Sequence, residues 1–150
     1  MSICFWSDDW KPESFYDKIC DNLERGMHTL CLLDIKVKER SIENMMKGRA
    51  IFEPPRFMTT AQAAEQLVEI GFNRKKEKLV NGDSSKKSLV DEDTMAVAVA
   101  RVGSDEQKLV TCSLGELKHL DMGKPLHSLV IPGHMHPMEM DAIKMHALPF

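Results

Sequence analysis

The chain has 150 residues, of which 43% are hydrophobic and 29% are charged. That composition suits one globular domain and excludes a disordered or fibrous chain. Twenty basic residues against 23 acidic ones leave a formal net charge of -3, which disfavours a nucleic-acid-binding domain or a binder of anionic membranes. No apolar run approaches the roughly 18 residues of a membrane span, and the N-terminus lacks a signal-peptide pattern. The sequence therefore predicts a soluble, cytoplasmic protein.

Four cysteines are spread along the chain without a Cys-x-x-Cys pair: Cys4, Cys20, Cys31 and Cys112. At least two of them fall in apolar runs suited to burial. We expect reduced thiols in the core rather than disulfides.

The N-terminal third alternates strand-like and helix-like segments. Residues 3–6 are apolar and predict a strand. Residues 12–25 begin with a proline, carry apolar residues at spacing four and end near a glycine, which predicts an amphipathic helix. Residues 29–35 form a nearly continuous apolar run, which is typical of a strand buried on both faces. We therefore expect helices on both sides of this strand.

Helix-capping residues mark the next segment. Ser41 is placed to cap a short helix that Gly48 ends. Residues 52–57 contain two adjacent prolines and predict a defined loop. Thr59 and Gln62 have the spacing of a capping box and predict the start of another helix.

Residues 73–93 are rich in charged and turn-forming residues, and we predict a flexible insertion there. Residues 94–102 and 107–111 are apolar runs around a turn, which predicts a β-hairpin. Residues 126–131 predict a further strand, and 137–145 a last helix that a proline opens. This alternation of strands and helices favours an α/β domain.

Three histidines lie within ten residues of one another: His127, His134 and His136. Neutral imidazole is a common metal ligand. However, no cysteine or glutamate is placed to complete a closed tetrahedral site, so we predict no metal site. His127 stands near the start of a strand-like run, where a histidine is more often a satisfied structural residue.

No phosphate loop, dinucleotide-binding turn or nucleophile elbow is present. The basic residues between 74 and 87 are typical of a solvated loop. The segment 53–56 holds Arg56 after two prolines, and a guanidinium on a rigid loop suits recognition of a carboxylate or phosphate. A surface ion pair of Arg56 explains the same pattern equally well.

Several segments together resemble the C-terminal half of the diphthine synthase family, within the tetrapyrrole-methylase-like methyltransferases. They are residues 2–8, 10–15, 26–39, 53–56, 100–103, 125–129 and 136–139. The resemblance covers nearly the whole chain in order. It weakens in the 73–93 insertion and in the last few residues, and residues 132–135 replace a Gly-rich turn of the family.

The resemblance implies a methyltransferase that uses S-adenosylmethionine to methylate a modified histidine of translation elongation factor 2, yielding diphthine methyl ester in diphthamide biosynthesis. It implies an α/β fold with a mixed sheet and flanking helices, in which residues 1–150 form the C-terminal domain. The N-terminal domain with the Gly-rich cofactor loop is then absent, and the fragment is expected to be inactive alone. Full-length members are expected to form homodimers.

By position, the family's cofactor contacts from this half fall on Leu33, Val102 and His127. The resemblance implies that Leu33 and Val102 pack against the cofactor and that His127 presents a ring nitrogen to its adenosine part. Methyl transfer from a sulfonium needs alignment and exclusion of water, so we name no catalytic residue. Arg56 is our hypothesis for a substrate contact.

Two other readings stay open at this point. The chain could be a noncatalytic interaction module that pairs with a full-length enzyme or another protein through an exposed apolar face. It could also be a metal-binding domain that uses the three histidines, which stoichiometric zinc on purification would reveal.

Overall fold

The computed structural model describes residues 1–82 and 90–149. The helices are α1 (Ser14–Glu24), α2 (Ile42–Met46), α3 (Thr60–Asn81), α4 (Leu114–Leu117) and α5 (Pro137–Lys144). The strands are β1 (Ser2–Ile3), β2 (Thr29–Leu33), β3 (Ile35–Lys36), β4 (Arg56–Phe57), β5 (Met95–Ala100), β6 (Lys108–Ser113) and β7 (His127–Ile131).

Five strands form one sheet in the order β1-β2-β7-β5-β6. β1 runs parallel to β2, and the other neighbouring strands pair antiparallel. The expected mixed sheet with flanking helices is therefore confirmed. The strands β3 and β4 pair separately in a two-stranded ribbon.

The core lies between one face of the sheet and the helices. One buried residue from each of β2, β7, β5 and β6 stands in register across the sheet. In that strand order they are Cys31, Leu129, Ala98 and Val110. The inward positions of β5 are alanines, and α3 brings further small residues such as Ala64 to the same core. Small side chains on both elements allow helix and sheet to approach closely.

The prediction that β2 is buried on both faces is wrong. Cys31 is fully buried, but Leu30 and Leu32 are 53% and 54% exposed. Successive side chains of a strand point to opposite faces, and no helix within the described residues covers the outer face of β2. An apolar run alone does not show how many faces are covered.

The predicted helix caps are confirmed. The Ser41 side chain accepts a hydrogen bond from the Asn44 N–H at the start of α2. Thr59 and Gln62 form the expected capping box at the start of α3. These contacts stabilise helix starts because they satisfy N–H groups that have no partner within the helix.

The predicted insertion at 73–93 is helical for its first part, because α3 continues to Asn81. Arg74 in this part of the helix forms ion pairs with Glu13 at 2.8 Å and with Asp17 of α1 at 3.4 Å. After residues 83–89, which lie outside the described residues, the chain returns to the core at Val90, which is fully buried. A charged composition indicated a loop here, yet much of the charge lies on the solvated face of a helix.

The predicted strand at 3–6 is shorter than expected, since β1 ends at Ile3. The Phe5 N–H donates to the Asp34 carboxylate at 2.9 Å, and the Trp6 indole N–H donates to the Pro12 carbonyl at 3.0 Å. These bonds turn the chain away from the sheet after β1.

None of the four cysteines, all of which lie within the described residues, forms a disulfide; Cys20, Cys31 and Cys112 are buried and Cys4 is partly exposed. Burial raises the pKa of Cys31 to about 12 and that of Cys112 to about 11. Within the part of the chain that the structure describes, no helix has the length and apolar character needed to cross a membrane.

Candidate functional site at the strand ends

A groove of about 870 Å³ opens where β2 and β7 stop pairing. The ladder between these strands ends at the pair Leu32–Ser128, although β2 continues to Leu33 beside β1. On the other side of β7, the ladder with β5 runs one residue further, to Ala100–His127. The groove therefore lies at the sheet edge, between the end of β2 and the start of β7.

The three residues that the resemblance implied as cofactor contacts all line this groove: Leu33, Val102 and His127. They come from β2, from the turn after β5 and from the start of β7, so the fold brings together positions far apart in the sequence. Val102 is 67% exposed, and the neighbouring Leu126 is 56% exposed. The groove is thus walled on one side and open to solvent on the other.

The ring of His127 is held by the fold through both of its nitrogens. Nε2 lies 2.9 Å from the Gly123 carbonyl and 3.0 Å from the Lys124 carbonyl, so it must donate. Nδ1 accepts from the Thr60 N–H at 3.4 Å. This network assigns the neutral Nε2–H tautomer. A ligand in the groove therefore meets the ring edge or the backbone of His127, rather than a free ring nitrogen.

Asp34 is a groove residue that the sequence reasoning missed. Its carboxylate accepts from the Phe5 N–H at 2.9 Å and lies 3.5 Å from Lys36 Nζ. Its backbone N–H donates to the Ile3 carbonyl, and its carbonyl accepts from the Met58 N–H. An acidic residue directly after an apolar strand is a sequence signal that could have found it, because ligands of α/β folds gather at the carboxyl ends of strands.

Arg101 was also missed, and it lines the groove next to Val102. Its backbone has φ +53°, in the left-handed region that non-glycine residues rarely adopt. Its guanidinium binds three carbonyl oxygens rather than a carboxylate. No sequence pattern reveals such a conformation at an arginine.

Arg56 does not reach this groove. Its Nε and Nη2 donate to the two Glu39 carboxylate oxygens at 2.9 and 2.8 Å, and its guanidinium lies 4.6 Å from the centroid of the Phe5 ring. It lines a separate hollow of about 320 Å³ with Phe5, Gln62 and others. These hydrogen bonds hold the pKa of Glu39 below its usual range. The geometry is that of the surface ion pair that was the alternative reading of the segment 53–56.

Two other histidines, His28 and His136, serve local structure. His136 Nδ1 accepts from the Met138 N–H and caps α5, and His28 Nδ1 accepts from the Gly133 N–H at 2.9 Å. Among residues 1–82 and 90–149, no three histidine, cysteine, aspartate or glutamate side chains are grouped to hold a metal ion.

The groove combines apolar walls with a few polar groups. Leu33, Val102 and Leu126 supply apolar surface. The charged lining residues are two acidic ones and one basic one: Asp34, Glu106 and Arg101. Its volume lies within the range of roughly 300–1,000 Å³ that is usual for small-molecule sites. This arrangement suits a small ligand with both apolar and polar groups.

The chain is similar in sequence to diphthine methyl ester synthases. It is 50% identical over 150 residues to the one from Homo sapiens, covering 99% of this chain and 50% of the human protein. It is 48% identical over 142 residues to the one from Saccharomyces cerevisiae, covering 94% of this chain and 44% of the yeast protein. The chain thus spans about half the length of the curated relatives it matches, and the match lies in their C-terminal half. No protein-family model matches the chain.

Solved structures show the same likeness. A crystal structure from Entamoeba histolytica, provisionally described as a diphthine synthase, matches with a TM-score of 0.77 and 40% identity over 99% of this chain and 50% of that one. A crystal structure of a diphthine synthase matches 97% of this chain and 43% of its own length, with a TM-score of 0.61 and 24% identity, and supports the fold alone. These matches confirm the resemblance drawn from the sequence.

Proposed function

We propose that this chain, which matches the C-terminal half of diphthine methyl ester synthases at up to 50% identity, forms the C-terminal domain of a methyltransferase of that kind. The enzyme uses S-adenosylmethionine to methylate the modified histidine of translation elongation factor 2, a step of diphthamide biosynthesis. The observation that carries the proposal is the convergence of Leu33, Val102 and His127 on one groove.

Each groove residue has a physical role in this proposal. Leu33 and Val102 provide apolar walls for the adenosine group of the cofactor, as apolar side chains do in most ligand sites. His127 closes the buried end of the groove, with its ring held by three hydrogen bonds. When bound, S-adenosylmethionine supplies a methyl group on a positively charged sulfur. The protein then needs to align the acceptor and exclude water, so no residue of this chain is named as a general base.

A groove that is open on one side supports a site shared with a second domain. Because Val102 and Leu126 are both more than half exposed, a ligand bound here keeps one side uncovered unless another domain covers it. We therefore propose that this chain alone does not methylate its substrate and that the N-terminal half found in its relatives completes the site. The resemblance further supports a cytoplasmic homodimer as the assembled enzyme.

The proposal is tested by fusing the N-terminal half of the human relative to residues 1–150 of this chain, here called the fused chain. We expect the fused chain to methylate elongation factor 2 that carries the unmethylated modification, with product masses read by mass spectrometry. Failure of a folded fused chain to bind S-adenosylmethionine in a calorimetric titration would contradict the proposal.

Matched variants sharpen this test. Val102→Glu places a carboxylate in the groove and should weaken cofactor binding at least about tenfold, because a charge is forced against an apolar ligand surface. Val80→Glu makes the same change on α3, where Val80 is 78% exposed and lies outside the groove. The control should bind the cofactor like the unmodified fused chain.

Arg56 remains the proposed contact for the protein substrate. The structure places it not in the predicted loop but on β4, where the antiparallel pairing with β3 and the two preceding prolines fix its backbone. A substrate carboxylate or phosphate would have to compete with Glu39 for the guanidinium. Arg56→Ala in the fused chain should therefore raise KM for elongation factor 2 and leave KM for S-adenosylmethionine unchanged. Glu39→Gln removes the competing charge and one of the two acceptor oxygens, and should therefore lower KM for the protein substrate. If both variants leave that KM unchanged, Arg56 serves only the surface ion pair.

A further inference from the structure

The loop 121–124, here called the carbonyl loop, precedes the groove strand β7. Each of its four successive carbonyl oxygens accepts a hydrogen bond from a side chain outside the loop. These side chains belong to β6, to β7 and to the turn between β5 and β6. The donors are Lys108 Nζ to Asp121 O at 3.1 Å, Arg101 Nη1 to Met122 O at 2.8 Å, His127 Nε2 to Gly123 O at 2.9 Å, and both Arg101 and His127 to Lys124 O. The loop is thus shaped by donors from outside it.

Arg101 is the residue that joins this loop to the other side of the groove. Besides the carbonyl loop, its guanidinium reaches the turn between β5 and β6, where Nε donates to the Glu106 carbonyl at 2.9 Å. Val102 lies in that turn and His127 follows the carbonyl loop, and both line the groove. One planar group therefore connects the segments that carry two groove residues.

Two backbone features are consistent with this bridging role. Arg101 itself has φ +53°, which lets its backbone N–H donate to the Leu126 carbonyl at 2.9 Å while its side chain turns to the loop. Gly123 lies close to the guanidinium, since a Cβ there would stand 3.4 Å from Arg101 Nη1. The φ of Gly123 is +78°, which glycine adopts without a steric cost.

We propose that Arg101 is a positioning residue for the ligand of the groove, holding Val102 and His127 at a set separation. This inference rests on the proposed function, because it takes the ligand to be S-adenosylmethionine. A lysine cannot replace the arginine, since a single ammonium lacks the planar fork that reaches acceptors on two segments. No carboxylate within 4.0 Å of the guanidinium appears among the described residues, so the carbonyl dipoles are its partners.

The test uses Arg101→Gly, because glycine adopts the same left-handed backbone without a steric cost while the variant removes the side chain that carries the guanidinium. In the fused chain, we expect KM and Kd for S-adenosylmethionine to rise roughly tenfold or more, as loosened ligand positioning does, while kcat at saturation stays within about twofold. Arg101→Lys should not restore the affinity. Arg74→Ala removes an arginine with two side-chain hydrogen bonds far from the groove and should leave Kd unchanged.

Hydrogen exchange on residues 1–150 alone gives an independent readout. Arg101→Gly should speed the exchange of amides in 121–127, and Arg74→Ala should not. The positioning role would be overturned if Arg101→Gly bound S-adenosylmethionine as tightly as the unmodified fused chain, or if exchange in 121–127 stayed the same. Absence of binding by the unmodified fused chain would instead overturn the proposed function, and the positioning role with it.

Discussion

The Tyr16 hydroxyl bonds to both backbone groups of Val90. It donates to the Val90 carbonyl at 2.7 Å and accepts from the Val90 N–H at 3.0 Å. Tyr16 lies on α1 and is 1% exposed, and Val90 is fully buried. A single side chain thus bonds both backbone groups of a buried residue 74 positions away in the sequence, at the point where the chain returns to the core after α3.

Tyr16→Phe should destabilise the protein because it leaves the Val90 N–H and carbonyl buried without partners. A buried polar group that loses its partner costs about 1–3 kcal/mol. We expect the free energy of unfolding, measured by urea denaturation, to fall by about that amount without a change in the slope with urea. A loss below about 0.5 kcal/mol would show that water replaces the hydroxyl at Val90.

The ionisation of Tyr16 gives a second prediction, since it is the one tyrosine in the sequence. Burial raises the pKa of Tyr16 above its ordinary value of 10.0. Below pH 10, Tyr16 is protonated in both the folded and the unfolded chain, so its contribution to the free energy of unfolding does not change with pH. Above pH 10, the unfolded chain releases the phenolic proton while the folded chain retains it. The free energy of unfolding therefore falls as the pH rises. Tyrosinate absorbance should therefore appear only as the protein unfolds at alkaline pH. Absorbance rising near pH 10 with the fold intact would contradict this.

Gly71→Ala should be strongly destabilising. Gly71 lies in α3, where an alanine is normally better than a glycine. Here a Cβ would stand 2.1 Å from the Val90 carbonyl oxygen and 3.3 Å from the Tyr16 hydroxyl. We expect a loss of about 3 kcal/mol, since the backbone must shift to relieve the overlap.

Gly115→Ala is the matched control for this change. It also adds one methyl group to a helical glycine, but its nearest neighbour, the Glu92 carbonyl oxygen, is 3.1 Å away. The shift required there is a few tenths of an ångström, so the loss should stay below about 1 kcal/mol. Thermal unfolding of both variants checks the order, and equal losses would show that α3 moves freely away from Val90.

Local signals in the sequence predicted the helix starts correctly, and contacts distant in the sequence explain the errors. The Thr59–Gln62 box spans three residues and needs no tertiary information. α3 continues past residue 73 to Asn81, and Arg74 in that part pairs with Glu13, which lies 61 residues away. A charge run therefore indicated a loop where a distant ion pair supports a helix.

In the groove, too, contacts between residues distant in the sequence explain what the sequence did not predict. The resemblance placed Leu33, Val102 and His127 by alignment, and the fold brings them together. It did not reveal that His127 is bonded at both nitrogens, because its partner Thr60 lies 67 residues away. Arg101 was missed because a left-handed arginine has no sequence signature.

Cys4 should be the most reactive of the four thiols. It lines the groove and is partly exposed, whereas burial raises the pKa of Cys31 to about 12 and that of Cys112 to about 11. Alkylation depends on the thiolate and on access, so a single addition at Cys4 should precede all others when iodoacetamide treatment is followed by peptide mass analysis. In the fused chain, saturating S-adenosylmethionine should slow that addition, and Cys4→Ser should abolish it. Equal labelling of Cys31 and Cys4 in the folded protein would contradict the burial on which this prediction depends.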